Sequence, residues 1–103
     1  MSDFDALLKQ IRVEAEEEGP AAVAELETLK ARLDLAVQLI ARRREIGLSQ
    51  MQLAAASGIP QSAISRIEQG RANPTVSTLT ALARALDASF TLTARASQAS
   101  AHR

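Results

Sequence analysis

Apolar positions recur along this chain at helical spacing, in blocks separated by glycine and proline. Phe4, Leu7, Leu8 and Ile11 fall at i, i+3, i+4 and i+7, which predicts a short amphipathic helix over residues 2–18. Gly19–Pro20 breaks that pattern. A longer helical pattern follows over 21–46, with Val23, Leu26, Leu33, Val37 and Ile40 as one stripe, and Gly47 stops it. Asn73–Pro74 marks a loop, after which Thr75 caps a further helix with Val76, Leu79, Leu82, Ala83 and Leu86 facing inward. Only at the end does the period change. From Ser89 to Ala94 the residues alternate, Phe90 and Leu92 on one side and Thr91 and Thr93 on the other, which reads as a short strand.

The stretch between Ser49 and Gly70, SQMQLAAASGIPQSAISRIEQG, is denser in signals than any other. Ser49 and Gln52 make an S-x-x-Q capping box, and Leu48 and Leu53 stand where a hydrophobic staple would close over it. Ala54, Ala55 and Ala56 favour helix and leave room for a close neighbour. Gly58 supplies a left-handed residue to end this helix, and Pro60 suits the first turn of the next, which runs to about Gln69. On that second helix Gln61, Ser62, Ser65, Arg66 and Gln69 share an arc of roughly 140°, opposite Ala63, Ile64 and Ile67. A surface helix needs a polar face for solvation alone. This face, however, has no lysine or glutamate on its arc. It carries side chains that hydrogen-bond base edges: arginine pairs bidentately with guanine, glutamine with adenine, and serine adapts to either. Two short helices, a tight turn and such a face predict a helix-turn-helix that reads DNA by sequence.

These residues resemble the Xre/Cro family of helix-turn-helix regulators, related to the lambdoid phage repressors. The likeness runs over residues 35–88, through IARRREIGLSQMQLAAASGI, PQSAISRIEQG and RANPTVSTLTALARALDA. The resemblance implies an all-α, lambda-repressor-like bundle. By it, Gln61, Ser62, Ser65 and Arg66 face the major groove, while Gln50, Gln69, Arg71 and Asn73 contact phosphates. It also makes Arg43 and Glu68 a structural ion pair. Two positions depart from the family pattern: Pro60 stands where Ser or Thr usually caps, and Asp87 where Gly usually ends a helix.

Composition narrows the function classes. One hundred and three residues allow one compact domain and an appendage. With no cysteine and a single histidine, His102, neither a thiolate nor a histidine metal site is expected, nor a catalytic triad, a cofactor or an enzymatic role. No apolar run approaches the ~18 residues of a membrane span, and the start lacks a secretory pattern, so a cytoplasmic setting is expected.

A net charge of zero fits a DNA binder poorly until the charges are located. Residues 1–20 hold six carboxylates against Lys9 and Arg12, whereas residues 42–103 hold eight arginines against Glu45, Glu68 and Asp87. Basic charge therefore accompanies the motif, and acidic charge precedes it. The chain divides into an acidic helical extension (1–34), the helix-turn-helix domain (35–88), a strand (89–95) and a flexible tail (96–103).

A lone strand is unstable in water. Paired across a two-fold axis through Phe90 and Leu92, it would make a homodimer with recognition helices about 34 Å apart on a pseudo-palindromic operator; otherwise both residues cap the monomer core. An acidic extension, the core and a C-terminal strand together resemble HigA-type antitoxins. That resemblance implies a basic RelE/HigB-like ribonuclease toxin as partner, held by the helix bearing Phe4, Leu7, Leu8 and Ile11, and repression of the shared operon. The alternatives are a stand-alone repressor that dimerises through its N-terminal helices, or an interaction module that has lost DNA binding.

Overall fold

The computed structural model describes residues 2–94 and is all-α. Its helices are α1 (Asp3–Glu18), α2 (Pro20–Glu45), α3 (Gln50–Ser57), α4 (Gln61–Glu68) and α5 (Val76–Ala85). The expected tail at 96–103 lies outside the described residues. Among those described, no helix is long and apolar enough to cross a membrane.

The core belongs to the second half of the chain. Leu39 of α2, Leu53 of α3, Ile64 and Ile67 of α4, and Leu82 and Leu86 at the end of α5 form one buried cluster. Leu35, Leu48, Ile59 and Ala72 pack around its edge. Burying a side chain of this size stabilises the fold by roughly 1.5–3 kcal/mol, so this cluster dominates the stability of the bundle.

Local chemistry sets the helix ends. Ser49 and Gln52 form the expected reciprocal capping box, and Thr75 caps α5 by accepting from the Thr78 amide. Three C-termini close in the same way, with a left-handed residue followed by a backward amide bond. Gly47, Gly70 and Asp87 are those residues, at φ 79°, 72° and 51°. The amides of Leu48, Arg71 and Ala88 then return to the carbonyls of Arg43, Arg66 and Ala83. Asp87 thus takes up the glycine conformation despite its side chain. Arg42 braces that corner by donating to the Leu86 and Asp87 carbonyls.

α1 and α2 form a hairpin about Gly19, whose φ of 120° reverses the chain. Ala15 is buried at their contact, and Arg12 pairs with Glu27 across it at 3.3 Å. The hairpin gives the molecule a radius of gyration of 16.4 Å, against about 13 Å for a compact chain of this length.

Three sequence expectations need correcting. The single stripe on α2 does not exist: Val37 is 66% exposed and Leu33 nearly half exposed, while Ala36, Leu39 and Arg43 are buried. One half of α2 packs on α1 and the other on the bundle, so its inward direction changes along its length. Val76 is 79% exposed, because the first turn of α5 projects past the core edge. Residues 89–94 form no strand, and Leu92 is 99% exposed. A strand needs a neighbour to accept its backbone hydrogen bonds, and no strand exists among the described residues of this protomer to supply one.

Leu33 of α2 covers Gly70. A Cβ at Gly70 would meet Leu33 Cδ2 at 2.8 Å, and the φ of 72° disfavours any L side chain. Gly70→Ala is expected to destabilise the fold by about 1–2 kcal/mol in urea unfolding. The same substitution in a Leu33→Ala background should cost measurably less, because only the backbone strain then remains.

Candidate nucleic-acid interface

α4 is seated by its apolar side. Ile64 and Ile67 point into the core, and that anchoring turns the opposite arc outward. Gln61, Ser62, Arg66 and Gln69 are exposed and Ser65 is half-buried, so the face expected to meet base edges is open along the whole helix. Among the described residues, none occludes it.

The N-terminus of α4 differs slightly from expectation. Pro60 is the N-cap residue, one position before the first helical turn, with ψ of 144°. Its carbonyl accepts from the amides of Ala63 and Ile64 at 3.0 and 3.1 Å, but no side chain caps the helix. Proline adopts the extended cap backbone as readily as serine does; what it lacks is a side-chain oxygen to bond the first-turn N–H groups.

Beyond α4, hydrogen bonds tie the expected contact residues into a sequence. Gln69 Nε2 donates to Ser65 Oγ at 3.0 Å, and Arg71 donates to Gln69 Oε1 at 2.9 Å. Arg66, Arg71 and Asn73 line one open concavity of about 400 Å³, together with Thr75 at the α5 N-cap and Thr78 in its first turn. Asn73 accepts from Arg32 Nε of α2 at 2.7 Å. Sequence reasoning missed Arg32. It is 41 residues distant and outside the recognisable motif, so only the packing of α2 beside this loop reveals it.

Behind the interface stands the ion pair. Arg43 and Glu68 meet in a bidentate geometry, Nε to Oε2 at 2.7 Å and Nη2 to Oε1 at 2.9 Å, with side chains only 10% and 6% exposed. Arg43 also donates to the Leu48 carbonyl at 2.8 Å, and Gln50 Nε2 donates to Glu68 Oε1 at 2.9 Å. Gln50, expected at the phosphates, therefore has one of its two amide N–H groups engaged by the scaffold and the other left to donate. Burial works against ionisation of Glu68. The hydrogen bonds from Arg43 and Gln50 outweigh it, with help from the charges of Arg43 and Arg44, and hold the carboxyl below its ordinary range. The Glu68 hydrogen bond correspondingly raises the Arg43 guanidinium, against the cost of burying it.

A two-helix unit with an open hydrogen-bonding face matches the family model described as helix-turn-helix, over residues 39–92. The chain belongs to the helix-turn-helix family of Xre/Cro type. That family binds DNA and is not enzymatic. Within it, this domain is 42% identical over 55 residues to an uncharacterized HTH-type transcriptional regulator of Haemophilus influenzae. That match covers 53% of this chain and 56% of the relative. It is also 53% identical over 47 residues to one from Sinorhizobium fredii, covering 46% and 61%. The chain thus matches between half and two thirds of the length of these curated relatives. Among solved structures it is similar to an HTH_3 family transcriptional regulator of Vibrio cholerae, at a TM-score of 0.58 and 32% identity, over 60% of this chain and 35% of that one. The restriction-modification controller protein C.AhdI of Aeromonas hydrophila is similar at 0.57 and 32%, over 58% of this chain and 91% of that one.

Removing one partner of the buried pair strands the other charge. Glu68→Gln is expected to lose about 3–5 kcal/mol of stability at pH 7, read from urea unfolding. A carboxyl depressed in the folded state stabilises above its ordinary range, and that contribution is lost as pH falls through the folded value. The gap between wild type and variant should accordingly narrow in acid.

Proposed function

We propose that this chain is a sequence-specific DNA-binding antitoxin of the cytoplasm, which holds a basic RelE/HigB-like ribonuclease toxin and represses the operon encoding both. The single observation that carries the DNA half is the exposed arc of α4, whose Gln61, Ser62, Ser65 and Arg66 are free of the core. Arginine and glutamine at such positions discriminate guanine and adenine in the major groove. Gln69, Arg71 and Asn73 then act as sequence-independent phosphate contacts, with Gln50 beside them at the α3 N-terminus.

The partner half is supported by α1. Phe4 is 65% exposed, and Leu7, Leu8 and Ile11 continue the same apolar face. Carboxylates surround it, from Asp3 and Asp5 to Glu14, Glu16, Glu17 and Glu18. An apolar strip bordered by acidic groups suits a basic protein surface, with carboxylates standing where RNA phosphates would lie. Exposed Phe90 and Leu92 suit a homodimer, in which residues 89–94 gain the pairing they lack in one protomer. A second reading is a stand-alone repressor that dimerises through its hairpin, favoured by the exposed Leu29, Leu33 and Val37, which lie four residues apart along α2. Co-purification of a small basic protein encoded beside this gene separates the two: the antitoxin reading requires a complex, and the repressor reading a dimer alone.

Arg66→Ala should cost roughly 1–3 kcal/mol on the specific operator and relax one base position, measured by competition binding. An equal loss on random duplex would make Arg66 a phosphate contact only. Replacing Phe4 and Leu7 together by serine should leave operator affinity unchanged and abolish toxin inhibition in a ribonuclease assay. Full inhibition by that variant would move the partner surface elsewhere.

A further inference from the structure

Arg32 stands seven residues before the helix-turn-helix domain begins at Leu39. It nonetheless reaches the loop that follows the recognition helix. Two neighbouring contacts fasten α2 to that loop: Arg32 Nε on Asn73 Oδ1 at 2.7 Å, and Leu33 over Gly70. Because Asn73 accepts through its oxygen, its amide nitrogen remains a donor. The guanidinium uses Nε alone in this contact and keeps its terminal donors.

The charge environment sharpens the case. Arg12, Arg42 and Arg43 each sit in an ion pair, at 3.3, 2.7 and 2.7 Å, whereas Arg32 forms none among the described residues. Acidic partners are not lacking nearby. Glu14, Glu18 and Glu25 line the groove between α1 and α2 that Arg32 also borders, yet its hydrogen bond goes to the loop. A cation that forms no ion pair among the described residues, and is bonded to a neutral amide through Nε alone, keeps its terminal donors for an anion arriving at the loop. Arg71 and Asn73 already offer donors there, and Arg66 borders the same concavity.

We propose that Arg32 is a DNA-backbone residue, which with Arg71 and Asn73 holds a phosphate at the edge of the recognition helix and carries the footprint past the family domain onto the helical extension. This rests on the DNA-reading assignment of α4. It makes the hairpin part of the DNA-binding surface, so the segment proposed to hold a protein partner abuts the segment that holds phosphate.

Salt-dependent binding of the full chain tests it, with operator and random duplexes titrated by fluorescence anisotropy. Each phosphate contact adds about 0.9 to the slope of log affinity against log salt, equivalent to about five- to ten-fold in affinity at 0.1 M salt. Arg32→Ala should lose that factor on both duplexes and lower the slope by about 0.9. Arg32→Lys should keep the slope, and Asn73→Ala should weaken binding while keeping most of it. Thermal unfolding of each variant checks that the fold is intact. An unchanged slope in Arg32→Ala, whether or not affinity falls, overturns the proposal, because Arg32 would then brace Asn73 or do nothing for DNA. Should the wild-type chain bind neither duplex, the reading of α4 fails and the role of Arg32 with it. Wild-type binding that is indifferent to Arg32 removes the Arg32 assignment alone.

Discussion

One buried charge pair orders the helix-turn-helix half of this molecule. Arg43 comes from α2 and Glu68 from the last turn of α4, and between them they recruit Gln50 at the start of α3 and the Leu48 carbonyl in the turn before it. Hydrophobic contacts among Leu39, Leu53 and Ile67 are non-directional and would tolerate some rotation of α4 about its axis. A bidentate guanidinium–carboxylate contact does not, since both hydrogen bonds depend on angle. The pair fixes which arc of α4 looks outward. Its net energetic contribution is smaller than its bond lengths suggest, because two charges were desolvated to form it; what it secures is orientation.

From that constraint the division of labour follows. The bundle formed by α3, α4, α5 and the second half of α2 holds the arc proposed to read DNA. The first half of α2 and α1 make a hairpin with its own groove and apolar strip. α2 is continuous through both, so the two regions share one rigid element about 39 Å long. The charge asymmetry follows the same division, with carboxylates concentrated on α1 and arginines on the bundle. Neutral overall composition therefore conceals two surfaces of opposite character.

How much of this was legible in the sequence depends on whether the deciding physics was local. Ser49, Gln52 and Gly58 act within a few residues of themselves, and the capping box and the turn came out as their chemistry implies. The outward arc of α4 was legible as well, because its three apolar positions lie on one side and set the general inward direction, which the Arg43–Glu68 pair then fixes. The α2 stripe failed for the opposite reason: a 26-residue helix that packs on two different partners has no single inward direction. Asp87 was noticed as a departure, but the bracing of its corner by Arg42 joins residues 45 apart. Arg32 could not be found by pattern at all, since its contact with Asn73 joins residues 41 apart along the chain. Residues 89–94 alternate as a strand should, yet alternation specifies a conformation only when a neighbouring strand is present to satisfy it.

The central claim is that the arc running from Gln61 to Gln69 is the surface that meets duplex DNA. Backbone amide NMR spectra, recorded while a duplex from the gene's own promoter is added, test this residue by residue. The account predicts the largest changes at residues 61–73, with a smaller set near Arg32 and little effect on the first two turns of α1. Changes concentrated on α1 or on residues 89–94, with residues 61–69 unmoved at saturation, would contradict it.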